Sequence, residues 1–240
     1  MRQFVLLTLA LVAAAPARAD DATEARAIID KAVKAVGDEA KLAAAKAYTQ
    51  KISGKFHGPA GVIAFTGEWA VSLPDQLRQA IESQSDGITF RTVRVIAGDK
   101  GWLRVNDTLV ELDKDALAGE HAQMYAAWVA SLLPLKEKDF VLTKVGESPT
   151  VGVKVTHKEH GAVTLFFDAE KGWLVRAEFR VKVANGEATQ EVVYDDYQDA
   201  DGLKRPRKVT VRRDGKVLVE AEATEFKPLD KPDPKLFEKP

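Results

Sequence analysis

The 240-residue chain contains no cysteine. That excludes disulfides and thiol chemistry, and it leaves no lipobox residue for an acyl anchor on the chain itself. Stability must come from burial, which a domain of this size can supply. An excess of charge of one sign is also missing. Lys and Arg number 35 against 36 Asp and Glu, for a formal net charge of -1. That balance argues against nucleic acid as a partner, although Phe90-Arg91 and Trp102-Leu103-Arg104 place aromatics beside bases. Catalytic signatures are lacking too. There is no G-x-S-x-G, and no glycine-rich stretch runs from a strand into a helix to cradle a phosphate. No internal repeat and no dividing linker is visible, so one domain over 20–240 is expected.

Metal ligands are sparse. His157 and His160 stand three apart with Lys158 and Glu159 between them, and no third ligand suggests itself. Zinc needs at least three protein ligands, so neither a metal nor a cofactor is expected. The carboxylates Asp195, Asp196, Asp199 and Asp201 do not follow calcium-loop spacing and are interleaved by Tyr194 and Tyr197. They read as a wet strand edge running into a turn.

The N-terminus carries the only long apolar run. Arg2 precedes an apolar stretch over 4–15, and Ala17-Arg18-Ala19 has the form of a cleavage site. Residues 1–19 are therefore expected to be a signal peptide cut before Asp20, giving a periplasmic protein. The run is shorter than the roughly 20 residues that span a bilayer. Its removal takes Arg2 and Arg18 and no acid, leaving 33 basic against 36 acidic residues, or -3.

What is present is mostly alternation. Residues 161–183 read GAVTLFFDAEKGWLVRAEFRVKV. Trp173, Val175, Ala177, Phe179, Val181 and Val183 are expected on one face, and Leu174, Arg176, Glu178, Arg180 and Lys182 on the other. With Val163, Leu165 and Phe167 before the Asp168–Gly172 turn, this predicts a long hairpin with one dry face. About a dozen such strands follow one another between turn signals. Residues 22–46 predict two short helices, with Ala27, Ile28, Val33 and Val36 as an uneven apolar stripe, Gly37 as the stop and Asp38 as a cap. Gly202 and Pro206 mark a loop, and Leu236 and Phe237 a hydrophobic latch in the tail.

The pattern changes once in mid-chain. From 121 to 135, HAQMYAAWVASLLPL, there is no Asp, Glu, Lys or Arg. Met124, Tyr125, Trp128, Val129, Leu132 and Leu133 recur at helical spacing, Asp113 or Asp115 can cap the start, and Pro134 forces the end. A helix apolar on most of its circumference must be covered. Strands with one dry and one wet face curl with the dry face inward. The expected object is a strongly curved, incompletely closed antiparallel β-barrel with an N-terminal helix and this helix on its concave face. Trp69, Trp102, Trp128 and Trp173 fall at inward or rim positions. A cavity between helix and sheet would suit an apolar ligand, each buried methylene contributing about 0.8 kcal/mol. The helix would then act as a gate, packed in the groove when it is empty and swung aside when it is loaded.

The order of features resembles the LolA/LolB-like outer-membrane lipoprotein-sorting proteins. The resemblance rests on the leader, the N-terminal helix, Trp69…Leu73-Pro74-Asp75-Gln76-Leu77-Arg78, Gly98-Asp99-Lys100-Gly101-Trp102, the mid-chain helix, Leu165-Phe166-Phe167-Asp168…Gly172…Leu174, and Tyr194-Asp195-Asp196-Tyr197 with Asp201-Gly202 and Pro206. It spans most of 22–238. It implies a LolA-like half-barrel that holds acyl chains under helical lids and carries lipoproteins between a membrane exporter and an outer-membrane acceptor. The expected partners are a lipidated protein or another lipid-like apolar ligand, with a membrane-bound donor or acceptor, and the expected state is a monomer. Relatives of this fold also serve as envelope-stress sensors with a regulatory protein partner, which is the alternative. Similar domains follow some zinc peptidases, but no H-x-x-E-H occurs here. No catalysis is expected. Candidate groove residues are Phe65, Trp69, Phe90, Met124, Tyr125, Trp128, Phe167, Trp173 and Phe179.

Overall fold

Among the described residues thirteen strands form one antiparallel sheet, and the way the chain visits them fixes where its longest internal helix must lie. The computed structural model describes residues 16–240 apart from 60, 147–148 and 184–185. Most of the expected signal peptide falls outside the described residues, which begin inside helix α1, Pro16–Val36. A second helix, α2 (Glu39–Ala44), is capped by Asp38, whose carboxylate accepts from the Lys41 amide.

From there β1 (Ala47–Gly58), β2 (Gly61–Ser72), β3 (Gln76–Ser85), β4 (Ile88–Ala97), β5 (Lys100–Val105) and β6 (Thr108–Glu111) form a meander that walks outward to one edge. The chain then crosses to the other edge through α3 (Lys114–Ala130) and a 3₁₀ turn, Leu133–Lys136. It walks back through β7 (Val141–Val145), β8 (Thr150–His157), β9 (His160–Asp168), β10 (Leu174–Val183), β11 (Gly186–Ala200) and β12 (Leu203–Arg213) to β13 (Lys216–Pro228). Strand β13 pairs with β1 and closes the middle, while β6 and β7 stay at opposite edges. The crossing element has one economical route, straight over a face of the sheet.

That route also demands curvature. Met124 of α3 packs with Leu77 and Ile96 on β3 and β4, while Tyr125 and Val129 join the core that contains Val163, Leu165 and Phe179 on β9 and β10. Strands β4 and β10 are seven steps apart in the sheet order. On a flat sheet they would be separated by roughly 34 Å, three times the width of a helix. One helix touches both because the sheet wraps around it. The fold is the expected half-barrel.

Helix α1 covers the returning half, touching β7, β8 and β12. Its buried face is Ala25, Ile29, Ala32, Val33 and Val36; Val33 and Val36 lie on it as expected, whereas Ala27 is exposed and Ile28 only half-buried, their places taken by Ala25 and Ile29. Among the described residues no helix is long and apolar enough to cross a membrane.

Four other expectations need correction. Leu174 was expected on the wet face, yet it is buried, because an extra residue, Val175, bulges between the Leu174–Phe167 and Arg176–Phe166 pairs and shifts the alternation by one. Trp102 was expected at an inward or rim position, but it pairs with Val95 while its neighbour Gly101 pairs with Ile96. Directly opposed residues share a face, so Trp102 lies with Val95 on the side away from α3. Helix α3 ends at Ala130, four residues before Pro134, because Leu132 adopts a left-handed backbone (φ 65°). Pro206 sits inside β12 opposite Tyr197 rather than in a loop. The ladder tolerates it beside Asp196, whose own left-handed backbone (φ 54°) interrupts the pairing. The tail latch forms as expected at its second residue: Phe237 is buried, in a 3₁₀ turn lying against β3 and β4.

Candidate ligand-binding cavity

Small side chains face one another across the middle of the half-barrel. Ala221 and Ala223 on β13 look towards Ala127 and Ala130 on α3, and Val192, Val209, Val211 and Val219 line the floor between. None is long enough to reach across. The result is a partly open cavity of about 370 Å³, within the range of small-molecule sites, roughly 300–1,000 Å³. Tyr48, Ile52, Val71, Leu73 and Leu77 close one side, and Leu174, Phe179, Tyr194 and Leu203 the other.

Tyr194 and Tyr197 are three residues apart, so a regular strand would place them on opposite faces. The left-handed Asp196 between them kinks β11, and both line the cavity. The Tyr197 hydroxyl donates to the Leu174 carbonyl at 2.7 Å. Burial pushes both phenols well above the usual tyrosine range, so they stay neutral.

The roof is tied to both halves of the sheet by polar contacts. Arg94 on β4 meets Glu120 of α3 at 3.4 Å and donates to Gln79 at 3.3 Å. Gln190 on β11 is 2% exposed; it donates to Gln123 of α3 at 3.2 Å and accepts from Arg213 at 2.9 Å. Two donors on the wall are less well served. The indole N–H of Trp69 is buried without a partner. Arg205 lies with its guanidinium 3.5 Å from the Phe226 ring centre and 4.5 Å from that of Tyr48.

Of the nine candidate groove residues, Trp69, Met124 and Phe179 lie on the cavity wall. The others lie elsewhere. Phe65 is buried with its ring packed over Gly54, where an added Cβ would come within 2.7 Å of it. Phe167 belongs to the core under α1 and α3. Tyr125 and Trp128 point into an aromatic cluster with Phe140 and His160. Trp173 precedes the Val175 bulge and stacks on Tyr197 at 4.9 Å. Phe90 is 37% exposed. The strands that build most of the sheet side of the wall, β1, β11, β12 and β13, supplied none of the nine. The signal for them was the alternation of small and branched residues over 209–223, which marks an inner face but carries no aromatic flag.

The turn between β8 and β9 gathers more than the histidine pair. Ligand atoms of His157, Glu159 and His160 lie within 4.8 Å of one another, outside the cavity wall. The third group is Glu159, whose backbone N–H donates to His157 Nδ1 at 3.2 Å. His160 stacks on Tyr125 at 4.2 Å, and burial together with the neighbouring His157 holds its imidazole below the usual histidine range.

Solved structures share this architecture. A LolA superfamily protein from Nitrosomonas europaea superposes with a TM-score of 0.58 at 13% identity, covering 90% of this chain and 97% of its own. The fold is LolA-like. A domain from Vibrio parahaemolyticus, assigned to outer-membrane lipoprotein sorting, superposes at 0.56 and 9% identity, over 91% and 97% of the two chains. A DUF1329 family protein from Desulfovibrio piger does so at 0.57 and 10%, over 89% and 97%. No protein-family model and no curated protein matches the sequence. At these identities the LolA-like likeness is one of backbone and not of side chains.

Proposed function

We propose that this protein is a non-enzymatic periplasmic carrier that takes the acyl chain of a lipoprotein, or another apolar ligand, into the cavity between α3 and the sheet. The observation that supports this reading is the hollow itself. A core of this size normally closes to near-crystalline density, whereas here opposed alanines keep about 370 Å³ unfilled under a helix. The lipoprotein-sorting assignment of one LolA-like neighbour suggests what the hollow holds. Apolar burial supplies the affinity without a reactive group, and α3 is the element that moves to admit the chain. Its polar ties to the sheet, Glu120–Arg94, Gln123–Gln190, Asp115–Lys182 at 3.7 Å and His121 to the Gly98 carbonyl at 2.8 Å, are replaceable by water when it lifts. Native mass spectrometry of the protein purified from its own periplasm tests the proposal. A bound lipid mass is expected; a clean apoprotein that also fails to take up a fluorescent fatty acid overturns it.

A further inference from the structure

The charges on the cavity wall are balanced with one exception. Arg94 has Glu120 at 3.4 Å. Arg207 has Asp196 and Glu222, each at 2.6 Å, and Lys204 has Asp199 at 3.9 Å. Among the described residues no carboxylate comes within 4 Å of the remaining wall cation, Arg205. It is half-buried and held by aromatic rings instead. A guanidinium does not lose its proton under such conditions, so a full positive charge stands in a largely apolar hollow.

The stacking decides which part of that charge is available. Phe226 and Tyr48 lie on neighbouring sides of the guanidinium, their ring centres 5.2 Å apart, and so do not sandwich it. A guanidinium carries five N–H donors in its plane, and those turned away from the two rings are open to an acceptor that enters edge-on. Carboxylate and phosphate fit that fork in bidentate fashion. Among the described residues the wall group buried without any hydrogen-bond partner is again a donor, the Trp69 indole N–H. The wall therefore has donors and a positive charge to spare.

We propose that Arg205 anchors the anionic head of a long-chain acyl amphiphile whose tail fills the cavity, so that the site selects acyl carboxylates or phosphates over neutral lipids of equal length. This rests on the reading of the cavity as an acyl-chain site and adds the chemistry of the head group. The aromatic pair holds the guanidinium in place when the site is empty, and the anion supplies the missing counter-charge when it is filled.

The test is a set of titrations on the full mature chain with palmitate, hexadecyl phosphate, monopalmitoylglycerol and inorganic phosphate, each displacing one neutral fluorescent acyl probe. The expected result is at least tenfold tighter binding of palmitate and hexadecyl phosphate than of monopalmitoylglycerol, with that preference shrinking as salt rises. Inorganic phosphate alone does not displace the probe. In Arg205→Met the preference falls below twofold while monopalmitoylglycerol binds as before; Arg205→Lys, which keeps the charge, retains part of it. Equal affinity for charged and neutral lipids in the unmodified protein overturns the head-group assignment and leaves the acyl site standing. So does an unchanged preference in Arg205→Met. If that variant does not fold, the salt dependence in the unmodified chain decides the matter. Failure of every lipid to displace the probe overturns both readings.

Discussion

Replacing Ala223 by phenylalanine separates a hollow from a packed core. Ala223 lies on β13 opposite Ile52 and faces the cavity, which is why so small an inward residue is only half-buried. In a filled core a benzyl group would have nowhere to go, and overpacking would cost about 1–3 kcal/mol or more. Here it enters about 370 Å³ of free space. Burying a Phe side chain contributes about 1.5–3 kcal/mol, of which ordering the side chain takes back up to about 1 kcal/mol. The balance is a stabilisation of about 1 kcal/mol, worth about 2–4 °C in Tm for a domain of this size. Ligand affinity moves the opposite way. A ring that displaces three methylenes removes about 2.4 kcal/mol of binding, roughly fiftyfold in Kd. Thermal melts followed by circular dichroism, with displacement of a fluorescent acyl probe, read both quantities on the same samples. A Tm drop of several degrees with uptake intact would refute the reasoning, because the space would then be neither empty nor the site.

Leu135 is fully buried where the α3 crossing meets the returning strands, and Leu135→Ala should cost about 2–5 kcal/mol in urea unfolding. Asp113 caps α3 by accepting from the amides of Asp115 and Ala116 at 3.1 and 2.8 Å; Asp113→Ala should cost about 1 kcal/mol, read the same way. The Arg207 guanidinium holds the Asp196 carboxyl below the usual carboxylate range. Its folded pKa is thus below its unfolded one, so this ion pair stabilises fully above the ordinary carboxylate range of about 4 and its contribution is lost as pH falls through the lowered value. Asp196→Asn should flatten the acid limb of the stability profile, and an unchanged limb would count against the assignment.

Strand and helix placement was legible because the chain keeps strict alternation where one face is wet, and changes to a charge-free helical run once. The half-barrel followed from that pattern, since one-sided strands must curl around whatever covers them. Individual side chains were less legible, for local reasons. One bulge at Val175 inverted the faces of Trp173 and Leu174. One left-handed residue, Asp196, brought Tyr194 and Tyr197 to the same side. Proline at 206 masked the strand that carries Arg205, so that cation had no face in the sequence reading. Aromatic residues drew the eye to the helix, but Tyr125 and Trp128 fill the core beneath it, and it is alanine and valine that leave the hollow. Absence of bulk is a weak sequence signal, because a small residue on an inner face marks a void only when its opposite number is also small.

The central claim is that a helix-roofed hollow accepts one acyl chain. Calorimetric titration with saturated fatty acids of increasing length tests it most directly. The account predicts saturable one-to-one binding that tightens about fourfold with each added methylene, then levels off once the chain fills about 370 Å³. Affinity that does not depend on chain length, or no saturable binding at any length, would contradict it.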